Sequence, residues 1–257
     1  MKRDFLKLPE ITTAIILAGG KGTRMINFSA LPRSLNEQGF HPGKMHKSMI
    51  PIGEKPLLEH IILWLKNEKI KKIVIGVGAR KESIINYFKD GKKWNIKIIY
   101  TEHNPNGGTG DALKEDIDKS EINDDYFFVM NGDQLTSLSL KKLIKIHFST
   151  LNALPLATIA LVYPTSPYGQ VEKAPKNDKI INFKEKPILK IPTNGGVYLF
   201  CKDIYPYLKN DLETHTFPIL VKQRKIKGYL YKGFWETINT IKDWERVNNK
   251  FQKYVKS

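Results

Sequence analysis

From about residue 12 the chain alternates between short apolar runs and amphipathic stretches. A run over about 12–18, closing on "AIILA", is followed by a long polar loop. Then comes a stretch from Pro56 in which Leu58, Ile61, Ile62 and Leu65 fall at helical spacing. Proline suits the first turn of a helix, so a helix is predicted to begin there. "KKIVIGVG" and "IKIIY" read as strands, "KESIINYF" between them as a short helix, and "TGDALKED" as the opening of another. "YFFVMNGD" reads as a strand ending in a polar turn, and "SLKKLIKIHFS" as a helix. Strands that are apolar throughout are buried on both faces. Joined by helices, they predict an α/β fold with a mostly parallel central sheet covered on both sides.

Beyond about residue 153 the pattern turns β-rich. "PLATIALVYP", "YGQVEKAP", "KIINFKEKP" and "NGGVYLF" predict strands joined by short turns, then "KDIYPYL" and "HTFPILVKQ" two helices, then "GYLYKGFW" further strand. The last stretch places Trp244, Val247, Phe251 and Val255 near one helical face. A helix docked on its own domain is expected, with a basic membrane-surface helix as the alternative. With no repeat, low-complexity tract or linker, residues 1–257 read as one domain. Its first half covers about 10–150 and its β-rich second half about 151–257.

Composition narrows the class. The chain is 41% hydrophobic and 26% charged, ordinary for a soluble globular protein. No apolar run approaches the roughly 20 residues of a membrane span, and the basic N-terminus lacks the apolar core of a secretory signal. A single cysteine, Cys201, excludes an internal disulfide framework and a cysteine-based zinc site. A cytoplasmic protein is the default. The net charge of +16 admits a nucleic-acid partner. The lysines, however, are scattered and form no long block, so no nucleic acid is expected, and a field of this sign equally attracts a polyanionic small substrate.

The first strand ends in "AIILAGGKGTR". A glycine-rich loop after a buried strand exposes backbone N–H groups to phosphate oxygens, since no Cβ blocks their approach. Gly19, Gly20 and Gly22 fit that use, and Arg24 adds a fixed charge with a planar donor fork. Neither the G-x-G-x-x-G nor the G-x-x-x-x-G-K-[ST] spacing is present.

"LAGGKGTR" resembles the signature of the sugar-1-phosphate nucleotidylyltransferases, and the likeness continues in the family's order: "HKSMIPIGEKPLLEH", "NPNGGTGDAL", "VMNGD", "YGQVE", "FKEKP", "NGGVYLF" and "GFWETINT". The resemblance implies a Rossmann-like, three-layer nucleotidyltransferase domain. It also implies a reaction in which a sugar 1-phosphate attacks the α-phosphorus of a nucleoside triphosphate and pyrophosphate leaves. Such a site works by positioning and by neutralising charge. The base is left among guanine, thymine and cytosine. By the same resemblance, Arg24, Lys47 and Asp133 are the catalytic residues. Leu17, Ala18, Gly19, Gly20, Gly22, Thr23, Gly107, Gly108, Thr109 and Asp133 hold the nucleotide, the loop at Gly107–Thr109 facing the base. Gly169, Glu185, Lys186 and Asn194 hold the sugar phosphate. Asp133 binds Mg²⁺, the implied cofactor, and the family often forms homo-oligomers.

Two departures stand out. Lys47 follows His46, where the family has proline, and the loop from Arg24 to Lys47 is longer than in compact members. That loop reads as a mobile lid in which Lys44 or Arg33 adds phosphate contacts. In "WETINT" the family's second metal-binding aspartate is replaced by Thr237. Glu236, one position earlier, and Asn239, two later, are the candidate substitutes, although on a regular strand Glu236 faces away from Thr237. The missing acid keeps a catalytically silent nucleotide-binding subunit as an alternative. A nucleotidyltransferase acting on a non-sugar phosphate such as phosphocholine is another.

Overall fold

The computed structural model describes residues 8–20, 35, 37–41, 43–104, 106–149 and 154–255, with side chains up to residue 251. Strand β1 (Thr13–Ala18) leads, through a two-strand ribbon of β2 (Pro51–Ile52) and β3 (Lys55–Pro56), to helix α1 (Leu57–Asn67). Then come β4 (Lys72–Val77), α2 (Lys81–Phe88), β5 (Lys97–Glu102) and α3 (Thr109–Ser120). After them run β6 (Tyr126–Asn131), β7 (Gln134–Thr136) and α4 (Leu140–His147). The second half carries β8 (Ala157–Val162), β9 (Gln170–Lys173), β10 (Ile180–Lys184) and β11 (Thr193–Cys201). It closes with α5 (Phe217–Lys222), β12 (Ile226–Leu230), β13 (Trp235–Thr237) and α6 (Ile241–Val255).

Among the described residues the main sheet has seven strands in the order β12-β8-β11-β6-β1-β4-β5. Neighbours are parallel except around β11, which runs antiparallel to both β6 and β8. Successive residues of the apolar strands serve opposite faces. Ile16, Ile73 and Ile75 join one core with Leu58, Ile61 and Leu65 of α1. Ile15, Val74, Phe127 and Val129 join the other with Leu113 of α3 and with Tyr198 and Phe200. This two-sided burial explains why the strands carry no polar alternation.

Two expectations need adjusting. "KDIYPYL" forms a 3-10 turn (Lys202–Tyr207), with Pro206 denying it an α-helical ladder. "HTFPILVKQ" becomes a π-type turn (Leu212–Thr216) running into α5. The expected polar turn after the strand of "YFFVMNGD" is present and carries Asp133, between the end of β6 at Asn131 and the start of β7.

Helix α6 is docked on the domain. Trp244 and Val247 are buried, and the Trp244 indole donates to the Pro51 carbonyl at 2.6 Å. The Phe251 ring meets His60 edge-on, with 4.7 Å between centroids. No helix among the described residues is long and apolar enough to cross a membrane.

From β1 the chain builds β4 and β5 on one side, then returns to place β6 on the other. In open α/β sheets such a reversal opens a crevice at the carboxyl ends of the two diverging strands. Here those ends are Leu17 and its cross-strand partner Asn131.

Candidate active site

A cleft of about 740 Å³ lies over these strand ends. Leu17, Ala18, Gly19, Gly20, Lys47, Gly107, Gly108, Thr109 and Asp133 all line it. Gly22, Thr23, Arg24 and Arg33 lie outside the described residues. Lys47 opens a 3-10 turn (Lys47–Met49), and its Nζ meets Asp133 Oδ2 at 2.5 Å. Both side chains are largely buried, 22% and 16% exposed. Lys44 is exposed on the adjoining loop.

His46, which motif reading took for part of a lid, is packed between the glycine loop and the turn that carries Lys47. It is fully buried. Its Nδ1 accepts from the Ser48 N–H at 3.2 Å, which fixes the remaining ring proton on Nε2, and Nε2 donates to the Gly20 carbonyl at 3.2 Å. Burial, aided by the positive charges of Lys47 and Arg80, pushes its pKa down to about 4. The ring is therefore neutral, with both nitrogens engaged. It ties the glycine loop to the turn that carries Lys47. The Ser48 hydroxyl donates to the Gly132 carbonyl at 2.5 Å and binds that turn to the Asp133 side. A proline in place of His46 could make none of these side-chain bonds.

The start of α3 is capped from across the chain. The Gly110 and Asp111 N–H groups donate to the Asn210 carbonyl at 2.6 and 3.1 Å, and the Thr109 N–H donates to Asp211 Oδ1 at 3.2 Å. Beside it His103, another residue the motifs left out, lines the cleft and donates from Nε2 to the fully buried Asp116 at 2.5 Å. Burial pushes the Asp116 carboxyl up, opposed by the bonds from His103 and Thr101.

The residues expected to hold a sugar phosphate all lie outside the cleft lining. Gly169 lies against Glu185, so that a side-chain carbon there would stand 2.9 Å from Glu185 Oε2. Glu185 and Lys186 are well exposed, 3.9 Å apart, and Lys186 takes a left-handed backbone conformation with φ 44°. Asn194 is the second residue of β11; its amide donates to the Tyr198 hydroxyl at 2.8 Å and accepts from the Gly196 N–H at 2.9 Å.

Residues 13–253 match the family model described as "Nucleotidyl transferase". The chain belongs to the nucleotidyl transferase family. Among curated relatives it is 34% identical over 250 residues to the bifunctional protein GlmU of Methanococcus maripaludis, covering 93% of this chain and 54% of that protein. It is 36% identical over 193 residues to the D-glycero-alpha-D-manno-heptose 1-phosphate guanylyltransferase of Campylobacter jejuni, covering 75% of this chain and 77% of that one. The chain thus spans about half the length of the GlmU relatives it matches first. The fold of HddC from Yersinia pseudotuberculosis superposes with a TM-score of 0.68 at 24% identity, covering 94% of this chain and all of the other.

In this nucleotidyl transferase the two candidate substitutes for the missing acid behave differently. Glu236 is buried, and both its carboxylate oxygens are taken by α6. One oxygen pairs with Arg246 Nη1, and the other with Lys250 Nζ at 2.6 Å. Glu236 is thus a structural anchor turned away from the cleft. Asn239 lies on the Asp133 side: its Nδ2 donates at 3.1 Å to Thr237 Oγ1, which in turn donates to the Asp133 carbonyl at 3.5 Å. The amide oxygen of Asn239 is left over from that chain of bonds. Among the described residues no group of three or more His, Cys, Asp or Glu side chains is placed to hold a metal ion. One carboxylate with neutral oxygens beside it nevertheless suits Mg²⁺, which commonly takes one or two carboxylates and completes its shell with waters and substrate phosphates.

Proposed function

We propose that the protein transfers a nucleoside monophosphate from a nucleoside triphosphate to a sugar 1-phosphate, forming a nucleoside diphosphate sugar and releasing pyrophosphate. The observation that carries this is the Lys47–Asp133 pair facing the glycine loop across the crevice between β1 and β6. An acid and a base locked together over backbone N–H donors suit two polyanions that must approach one another. The first half of the chain, about 10–150, holds the nucleotide. The second half, about 151–257, holds the sugar phosphate.

In this reading Gly19 and Gly20 offer backbone to the phosphates, with Gly22, Thr23 and Arg24 continuing the loop. Gly107, Gly108 and Thr109 face the base. Lys47 swings from Asp133 to the α-phosphate, where it offsets charge as a sugar-phosphate oxygen bonds to phosphorus and the bond to the pyrophosphate oxygen breaks. Glu185 accepts from sugar hydroxyls, Lys186 pairs with the sugar phosphate, and Asn194 donates its second N–H. Asp133 and the Asn239 carbonyl are the groups that would hold Mg²⁺, which supplies further neutralisation of phosphate charge. The cytoplasm, where nucleoside triphosphates abound, is the fitting location.

The test is a matrix of nucleoside triphosphates against sugar 1-phosphates with Mg²⁺, read as pyrophosphate. The Campylobacter jejuni relative is named for guanylyl transfer to a heptose 1-phosphate, so GTP with that sugar heads the matrix. Signal in one cell of the matrix, lost in Asp133→Asn, is expected. Silence throughout from folded protein would refute the proposal and leave the silent subunit that Thr237 suggests.

A further inference from the structure

The two residues that flank Lys47 are tied to opposite banks of the cleft. On one side the His46 ring donates to the carbonyl of Gly20, in the loop that follows β1. On the other the Ser48 hydroxyl donates to the carbonyl of Gly132, in the turn that follows β6. The 3-10 turn of Lys47–Met49 is therefore slung across the crevice, with the lysine at its start. A third tie runs from the His46 N–H to the Ser83 oxygen of α2 at 3.0 Å.

Backbone shape does not account for a histidine at this position. His46 adopts φ −67° and ψ 147°, close to the φ of about −65° that a proline ring imposes. The family's proline would hold that conformation with no side-chain entropy to lose. Histidine adds three hydrogen bonds that proline cannot make: Nδ1 with the Ser48 N–H, Nε2 with the Gly20 carbonyl, and the backbone N–H with Ser83. The two ring bonds differ in reach. The bond to Ser48 is a local cap on the 3-10 turn, of a kind that asparagine also makes. The bond to Gly20 spans 26 residues and joins the glycine loop to the turn that carries the lysine.

We propose that His46 is a positioning residue for the transfer step: its bond to Gly20 fixes the Lys47 backbone against the glycine loop, so that a triphosphate seated on that loop meets the ammonium in register. This rests on the nucleotide-transfer reading of the cleft. Lys47 leaves Asp133 by rotating its own side chain, and the anchor holds the root of that side chain still while it does so. The ring itself bonds to no substrate, since both its nitrogens are engaged within the protein. A displacement of about 1 Å at a group that meets the reacting atoms costs up to about a hundredfold in rate.

Asparagine and glutamine separate the two ring bonds. Asparagine keeps an acceptor where Nδ1 stands, and so keeps the cap, but is too short to reach Gly20; glutamine carries an amide N–H to the place of Nε2. His46→Asn lowers kcat about ten- to hundredfold and leaves KM for the sugar phosphate within about twofold. His46→Gln restores most of the rate. Binding of inorganic tripolyphosphate with Mg²⁺, measured by calorimetry alongside the melting temperature, reads the link without turnover. Lys47→Ala costs about tenfold in affinity in the wild-type and His46→Gln backgrounds but less than about twofold with His46→Asn, because there the lysine is already out of place. Equal rates in the two His46 variants, rate losses that merely follow the melting temperatures, or a Lys47→Ala loss that is absent or the same in all three backgrounds overturns the proposal. If the wild-type protein releases no pyrophosphate from any substrate pair, the transfer reading falls. The tripolyphosphate comparison still decides whether His46 acts through Lys47.

Discussion

Substituting Glu236 by glutamine separates an anchor from a metal ligand. The carboxylate is 11% exposed and carries two cations from α6, Arg246 at 37% exposure and Lys250 at 56%. Removing one partner of a fully buried pair costs about 3–5 kcal/mol, and an exposed pair contributes only about 0.2–1 kcal/mol. Here the acid is buried while both cations can turn to water, so the loss falls between these limits, at about 1–2 kcal/mol. For a chain of this size that lowers the melting temperature by roughly 2–8 °C. Well below the transition, pyrophosphate release and its Mg²⁺ dependence stay within about twofold of wild type, since the side chain faces α6 and not the cleft. Thermal unfolding and a Mg²⁺ titration of the initial rate give both numbers. An unchanged melting temperature with a rate falling by two orders of magnitude or more would refute the assignment and restore Glu236 as a ligand.

Three further outcomes follow from the same geometry. Thr237→Asp places a second carboxylate beside Asp133 and lowers the half-saturating Mg²⁺ concentration of the transfer reaction several-fold, while Thr237→Asn leaves it unchanged; no shift in the aspartate variant would contradict the placement. Gly19→Ala puts a methyl 2.5 Å from His103 Nδ1 and costs about 1–3 kcal/mol in urea unfolding, whereas Gly20→Ala, with nothing within 4 Å, stays within about 0.5 kcal/mol. Stability is set to fall with acid. Unfolded histidines take up protons near pH 6.5 but folded His46 and His147 only near 4, so the unfolded chain binds more protons between those values and stability rises with pH across that window. The His46 contribution, about 3 kcal/mol, is complete above pH 6.5 and lost as the pH falls toward 4. Urea midpoints measured from pH 4 to 7 check it, and His46→Gln flattens the slope.

Much of the fold was legible because its signals are local. The run to Ala18 and the run "KIVIGV" owe their lack of alternation to burial on both faces, and α3 begins where "TGDALKED" opens. Lys47 and Asp133 were legible from motif spacing, though they stand 86 residues apart and meet only in the fold. What stayed hidden rests on distant partners. Nothing near His46 announces that its ring will face Gly20, and nothing near Thr109 announces Asp211, 102 residues later. The second acid was half legible: strand alternation turns Glu236 from Thr237, but only α6 explains what it faces.

The cap on α3 has a consequence for how such a cleft diversifies. The helix takes its first hydrogen-bond partners from Asn210 and Asp211, and among the described residues of the preceding loop only Gly108 joins the cap. Between His103, held to Asp116, and Gly108, where a side-chain carbon would stand 2.4 Å from the Asn210 backbone, the intervening residues can be changed without unwinding the helix behind them. In the proposed reading this wall faces the base, which makes it an exchangeable part mounted on a fixed frame, where a new nucleotide preference can be installed without refolding the rest.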